Sequence, residues 1–169
     1  MLKALEKVTT DYVIYSQEDY ILFDYVNESK IADYVDLLSK NDNLHFIRLI
    51  KSGIGNSTST YNDELGYVDP ASEYYFSTQI TVWKKEVLME MFRRSWVASV
   101  FDEPQNSWYL RSIGAIGVYT TQVGTKVGGH YNSLVYPYMA TAKVKGRWNL
   151  AEYSKEIRAL ANEYKIQVI

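Results

Sequence analysis

The sequence predicts an α/β domain, a mixed sheet flanked by helices, and three observations lead there. An uninterrupted apolar run, Tyr12-Val13-Ile14-Tyr15, has the character of a strand buried on both faces. A second strand-like run lies at His45 to Ile50, and before it Ile31, Tyr34, Val35 and Leu38 fall on one face of a helix. The third is the segment Leu150 to Tyr164, where Leu150, Tyr153, Ile157, Leu160 and Tyr164 alternate steps of three and four. With 169 residues, 47% of them hydrophobic and 22% charged, the chain is long enough for one domain, 1–169, with a substantial core.

Taken in order, Leu2, Leu5 and Val8 mark the end of a helix, and a strand follows at 12–16. The next helix spans about Ser29 to Lys40, with Asn27 as its cap and Asn41-Asp42-Asn43 as its stop. Residues 51–72 are rich in Ser, Thr, Gly and Asn and read as a long loop, a functional lid or a mobile segment. Tyr74 to Val82 reads as a strand running into a helix at about 83–94, with Trp83, Val87, Leu88, Met91 and Phe92 as its stripe. Residues 95–112 read as irregular. Glycines at 114, 117, 124, 128 and 129 flank a short strand at 116–120. Asn149 and Glu152 make a variant of the capping box at the start of the last helix.

Composition excludes several functions. The formal charge is −2, from 18 basic and 20 acidic residues, which argues against nucleic-acid binding along a phosphate backbone. The absence of cysteine removes disulfides, thiolate zinc sites and cysteine nucleophiles. No apolar run approaches the length of a transmembrane segment and no signal-peptide pattern opens the chain, so a cytoplasmic protein is expected. The 16 tyrosines offer flat faces for sugars or bases, and equally suit half-buried strands.

Several residue groups bear on chemistry. The run at 12–15 breaks into Ser16, Gln17, Glu18 and Asp19. Adjacent acids at the carboxyl end of a strand suit a divalent cation with places left for a substrate phosphate, or they are simply a solvated or capping pair. His130 follows Gly128-Gly129, where backbone can approach a ligand; its imidazole reads as a metal or phosphate contact, or as structural. His45, inside a strand, reads as structural. Asp102 and Glu103 sit among aromatic residues beside Pro104, a setting for a desolvated carboxylate acting as general base, or for a solvated loop acid. Lys143, Lys145 and Arg147 surround Gly146 as a basic turn suited to a leaving diphosphate, or as plain surface. Gly53-Ile-Gly55-Asn-Ser has neither the lysine of a phosphate loop nor the third glycine of a dinucleotide fingerprint.

In their order along the chain these residues resemble GT-A-fold glycosyltransferases of the bacterial polysaccharide-biosynthesis type, in their second half. The resemblance runs through Asp11-Tyr-Val-Ile-Tyr-Ser-Gln-Glu-Asp-Tyr, Ile47-Arg48-Leu49, Ser77-Thr-Gln-Ile-Thr-Val-Trp83 to Leu88, Tyr109-Leu-Arg-Ser-Ile-Gly114, and Gly128-Gly-His-Tyr-Asn-Ser onward to Trp148. It implies a partial GT-A-like mixed sheet flanked by helices, lacking the N-terminal nucleotide-binding βαβ units. It also implies metal-assisted transfer of a sugar from a nucleotide-diphosphate sugar to a saccharide acceptor. Asp19, Glu18 and His130 would hold Mn²⁺ or Mg²⁺, Glu103 or Asp102 would be the base, and Lys145, Arg147 and Arg111 would meet the diphosphate. The family's acid about three residues after a tryptophan finds Ser99 here, after Trp96. A sheet without its first strands would expose an apolar edge, so a homo-oligomer, or a separate chain supplying the missing half, is expected. The competing expectation is a non-catalytic saccharide-binding or assembly module derived from such an enzyme, using the abundant Tyr and Trp without metal.

Overall fold

A computed structural model describes residues 2–94 and 103–168. The elements, in chain order, are α1 (Leu2–Leu5), β1 (Tyr12–Tyr15), β2 (Ile21–Leu22), α2 (Glu28–Ser39), β3 (Leu44–Arg48), β4 (Leu65–Tyr67), β5 (Thr81–Lys84), α3 (Lys85–Arg94), α4 (Glu103–Ser112), β6 (Ile116–Thr120), β7 (Val123–Val127), β8 (His130–Ser133), β9 (Tyr138–Met139), β10 (Lys143–Val144), β11 (Arg147–Trp148) and α5 (Leu150–Tyr164). The fold is mixed α/β, built on a five-stranded sheet of order β1-β5-β3-β6-β4. β5 pairs antiparallel with both β1 and β3, and β3 pairs parallel with β6, so β1, β3 and β6 share one direction. Their carboxyl ends lie together, beside the amino end of β5.

Pairing register assigns the two faces. Val13, Trp83, Phe46 and Gly117 form one row across the sheet, and Tyr15, Thr81, Arg48 and Tyr119 form another two residues along. Both rows face the cluster that α1, α3 and α4 complete with Leu5, Leu88, Met91 and Leu110. The intervening row, Ile14, Val82, Ile47 and Val118, faces the opposite way, where α2 supplies Tyr34 and Leu38. Gly117 is the one residue that fits beneath Phe46, since a Cβ there would stand 1.8 Å from the ring. The small sheets β2–β9, β7–β8 and β10–β11 form with α5 a third, smaller cluster around Met139, Tyr153 and Ile157.

Four expectations are corrected. β1 is not buried on both faces: it is the edge strand of the large sheet and Ile14 is 39% exposed. Tyr74–Ile80 is irregular rather than strand, and Trp83 lies in β5 rather than in the helix. Residues 103–112 are helical, while 95–102, with Trp96, Ser99 and Asp102, lie outside the described residues. Asn149 makes no side-chain cap; its amide donates instead to the Thr141 carbonyl at 3.0 Å. Asn27 does cap α2, its side chain accepting from the Lys30 backbone N–H at 3.0 Å. No helix among the described residues is long and apolar enough to cross a membrane.

Candidate functional site at the carboxyl end of the sheet

Arg48 ends β3 as an arginine inside an otherwise apolar run, and it is fully buried. A guanidinium without water needs acceptors, and the adjoining loops supply them to its two terminal nitrogens, while Nε has no hydrogen-bond partner among the described residues. Nη1 donates to the carbonyls of Ser52 at 2.7 Å and Gly53 at 3.0 Å; Nη2 donates to those of Tyr74 at 2.9 Å and Tyr75 at 3.1 Å. Burial lowers its pKa from the usual value to about 10, opposed by the nearby Tyr138, Glu103 and Tyr75, so it remains a cation at neutral pH. This explains why 74–80 forms no strand. Two of its carbonyls are taken by Arg48, and the Phe76 N–H donates to the Ser107 hydroxyl at 2.9 Å.

Above this cation lies a polar network. The Tyr138 hydroxyl donates to Gln79 Oε1 at 2.7 Å, Gln79 Nε2 donates to the Tyr20 hydroxyl at 3.1 Å, and the Ile80 N–H donates to the Tyr138 hydroxyl at 3.3 Å. Glu103 opens α4, and its Oε1 accepts from the Thr78 N–H at 3.2 Å and the Thr78 hydroxyl at 3.5 Å. Burial pushes the Tyr20 phenol up to about 12; a hydrogen bond with Thr78 opposes this, and the charges of Asp19 and Glu103 add to it. Tyr20, which directly follows Asp19, is thus linked through Gln79 and the neighbouring Thr78 to Glu103 at the start of α4. Glu18, exposed, acts on Tyr15, which is also raised to about 12, mainly by burial and then by Tyr20.

Glu103 and Arg111 line one surface groove of about 420 Å³ with Glu73, Tyr74 and Pro104. Arg111 Nη1 donates to the carbonyls of Pro70 at 2.9 Å and Ser72 at 3.3 Å, tying α4 to the loop after β4. On its other side Arg111 lines a wider groove of about 940 Å³ with Asn56, Tyr67 and Asp69. The Ser/Thr/Gly-rich segment after β3 is anchored there: Asp69 accepts from the Asn56 N–H at 3.2 Å, and the Ser72 hydroxyl donates to the Gly53 carbonyl at 3.1 Å.

Among the described residues, the other sequence candidates share no hydrogen bond with this network. His130 opens β8; burial lowers its pKa, and the carboxylate that opposes the shift is Glu152 of α5. Its Nδ1 is buried without a hydrogen-bond partner among the described residues. Among those residues no three His, Asp or Glu side chains gather as a metal-holding group, so Glu18, Asp19 and His130 do not converge into one. Lys145 and Arg147 are exposed on the β10–β11 hairpin, whose turn is made by positive φ at Lys145 (50°) and Gly146 (78°). His45 has a structural role, with Nδ1 2.6 Å from the Asn43 carbonyl and 3.3 Å from the Ile116 N–H. Sequence reasoning missed Tyr20, Thr78, Gln79 and Tyr138 as parts of a site; the one usable signal was a charged residue within the apolar run Phe46-Ile-Arg-Leu-Ile50. Neither the known family models nor the curated proteins give a match to this chain.

Proposed function

We propose that this chain transfers a sugar from a nucleotide-diphosphate sugar to a saccharide acceptor, on a GT-A-like sheet, in the cytoplasm. The observation that carries the reading is the hydrogen-bonded path from Tyr20, which directly follows Asp19, to Gln79, whose neighbour Thr78 holds Glu103, at the carboxyl ends of the three co-directional strands. Open α/β sheets bind ligands at that end. Two further features support it. The groove beside Glu103 offers Tyr74, 51% exposed, as a flat face for a sugar ring, and Arg111 as a cation. The Thr78 hydrogen bonds fix one carboxylate oxygen of Glu103 and orient the group.

In this reading Glu103 takes the proton of the acceptor hydroxyl as that oxygen forms its bond to the anomeric carbon. The bond from that carbon to the diphosphate breaks, and the diphosphate leaves with the electron pair. Arg48 acts from beneath the site as a fixed positive charge that needs no reorganisation during reaction. Glu18 and Asp19 are suited to a cation of the Mg²⁺ type, which commonly takes one or two carboxylates and completes its shell with substrate phosphate and water. Such an ion would neutralise the departing diphosphate. His130, beside Glu152, has no part in this set.

The outer edge of β1 is where strands of a second copy or of a separate chain would pair, and the exposed Ile14 lies on that strand.

Transfer is tested by release of nucleoside diphosphate from a panel of nucleotide sugars, with Mn²⁺ and oligosaccharide acceptors present. Glu103→Gln should lower turnover about 10²–10⁴-fold while leaving donor binding nearly unchanged. The second reading, a saccharide-binding module that needs no metal, draws on exposed aromatic faces such as Tyr74, 51% exposed, and Trp108, 64% exposed. It would be selected by glycan binding without metal, untouched by Asp19→Ala, together with no diphosphate release.

A further inference from the structure

The C-terminal layer carries a feature the sugar-transfer site does not use. An apolar groove of about 290 Å³ runs between α5 and the small strands, lined among others by Leu22, Met139, Trp148, Leu160, Tyr164 and Ile166. Its rim exposes large apolar side chains: Leu22 is 40% exposed, Tyr164 64% and Ile166 52%. Beside it projects the β10–β11 hairpin, Lys143-Val-Lys-Gly-Arg-Trp148, which holds three cations and no acid. Lys143 Nζ sits 4.9 Å from the centre of the Trp148 ring, so the cationic hairpin adjoins the groove wall directly. Val144, on the same hairpin, is 50% exposed.

Charge along the chain is divided in the same sense. Residues 139–168 hold six basic and three acidic side chains, while the rest of the chain holds twelve basic and seventeen acidic. Residues 139–168 thus carry net positive charge in an otherwise acidic chain and form most of the groove, whose remaining wall, Ile21-Leu22, is flanked by Asp19 and Asp24. Cations beside exposed apolar side chains match a surface that is anionic above and hydrocarbon beneath.

We propose that the groove under α5 docks this protein on an anionic lipid leaflet, with a hydrocarbon chain seated between Leu22, Trp148 and Ile166. Lys145 and Arg147 meet the lipid phosphates, while the acidic remainder of the molecule is repelled from the surface and so turned toward the aqueous phase. The attachment is peripheral and reversible, since neither a short apolar groove nor three cations alone hold a protein permanently on a bilayer. This inference is independent of the sugar-transfer reading.

The test is sedimentation of the full chain with vesicles of phosphatidylcholine alone and of phosphatidylcholine with 30% phosphatidylglycerol, a fraction of order ~30% serving to set a strong negative surface potential. Binding should be confined to the anionic vesicles and weaken as salt is raised. Tyr164→Glu/Ile166→Glu and, separately, Lys145→Glu/Arg147→Glu should each lower the partition coefficient at least ~10-fold, consistent with roughly a factor of five or more per surface charge. Brominated lipid should quench Trp148 fluorescence, read as the part of the quenching lost in Trp148→Phe. Circular dichroism of each variant confirms that it is folded. No binding to anionic vesicles would overturn the proposal. So would binding that Tyr164→Glu/Ile166→Glu leaves intact, which would make the attraction charge alone. Self-association abolished by the same pair, without vesicle binding, would assign the groove to a second copy instead.

Discussion

The carboxyl end of the five-stranded sheet and the C-terminal layer of hairpins are both rich in polar and aromatic groups, and opposite physics holds them. At the sheet end, Arg48 is fully buried and places four donors on four carbonyls of two loops, so its surroundings are fixed by a hydrogen-bond network. In the C-terminal layer, Lys145 and Arg147 stand in solvent and the small cluster around Met139 and Ile157 leaves a groove open. The first arrangement holds groups in place, as a reaction requires. The second leaves apolar and cationic surface available to a partner. Charged candidates thus acquire different roles from their surroundings: Glu103 is oriented by Thr78, whereas Lys145 has a fixed backbone turn and an exposed side chain.

The sharpest way to break this contrast is Arg48→Met. It should destabilise the protein by about 3–5 kcal/mol, because four carbonyls lose hydrogen bonds to a cation, that of Tyr75 in a buried setting and those of Ser52, Gly53 and Tyr74 in part-buried ones. Urea denaturation measures the loss, and Lys should not restore it, since an ammonium lacks the fork that reaches two loops at once. A change below about 1 kcal/mol would show that water reaches those carbonyls and that the site is not rigid.

Packing gives a second contrast of smaller size. Gly117→Ala should cost about 1–3 kcal/mol or more, since the added methyl would overlap the Phe46 ring. Gly129→Ala, in the β7–β8 turn with nothing within 4 Å of the new methyl, should stay within about 0.5 kcal/mol. Thermal melts of the two variants side by side check both.

Alkaline titration gives the smallest and most selective effect. Tyr15 and Tyr20 are raised by burial from 10.0 to about 12. Groups raised on folding lend stability that is complete below their unfolded pKa and is lost as pH climbs through the folded value. Stability should therefore hold to about pH 10 and fall between pH 10 and 12. Absorbance at the phenolate band, followed together with circular dichroism, should show a late-ionising set of tyrosines whose titration coincides with loss of structure. Early ionisation of all tyrosines in a folded protein would place Tyr20 in solvent.

Much of the fold was legible in the sequence where an element carries one clean period. α2, β3, β6 and α5 were recognised within a residue or two, because each presents a continuous apolar face to a cluster. α4 shows no apolar stripe because the face it buries is mostly polar: Asn106 and Ser107 are buried beside Leu110, and Ser107 donates to the Glu73 carbonyl at 3.1 Å. Pro104 in its first turn was the available sign of a helix start. The glycines at 124, 128 and 129 read from sequence only as flanks of the strand at 116–120, although Gly128-Gly129 between Val127 and His130 is a two-residue hairpin turn. The run 74–80 misled in the opposite direction, its aromatic residues resembling a strand while its backbone serves Arg48 and Ser107. Of the site, Asp19 and Glu103 are named from sequence; the link between them depends on a loop, a helix start and a tyrosine that no local pattern connects.

Calorimetric titration of nucleoside diphosphates into the protein, with and without Mn²⁺, tests most directly whether the carboxyl end of β1, β3 and β6 is the donor site. Binding should require the metal, be lost in Asp19→Asn, and persist in Glu103→Gln. Binding that needs no metal and ignores Asp19→Asn, or no binding of any nucleoside diphosphate, would contradict it.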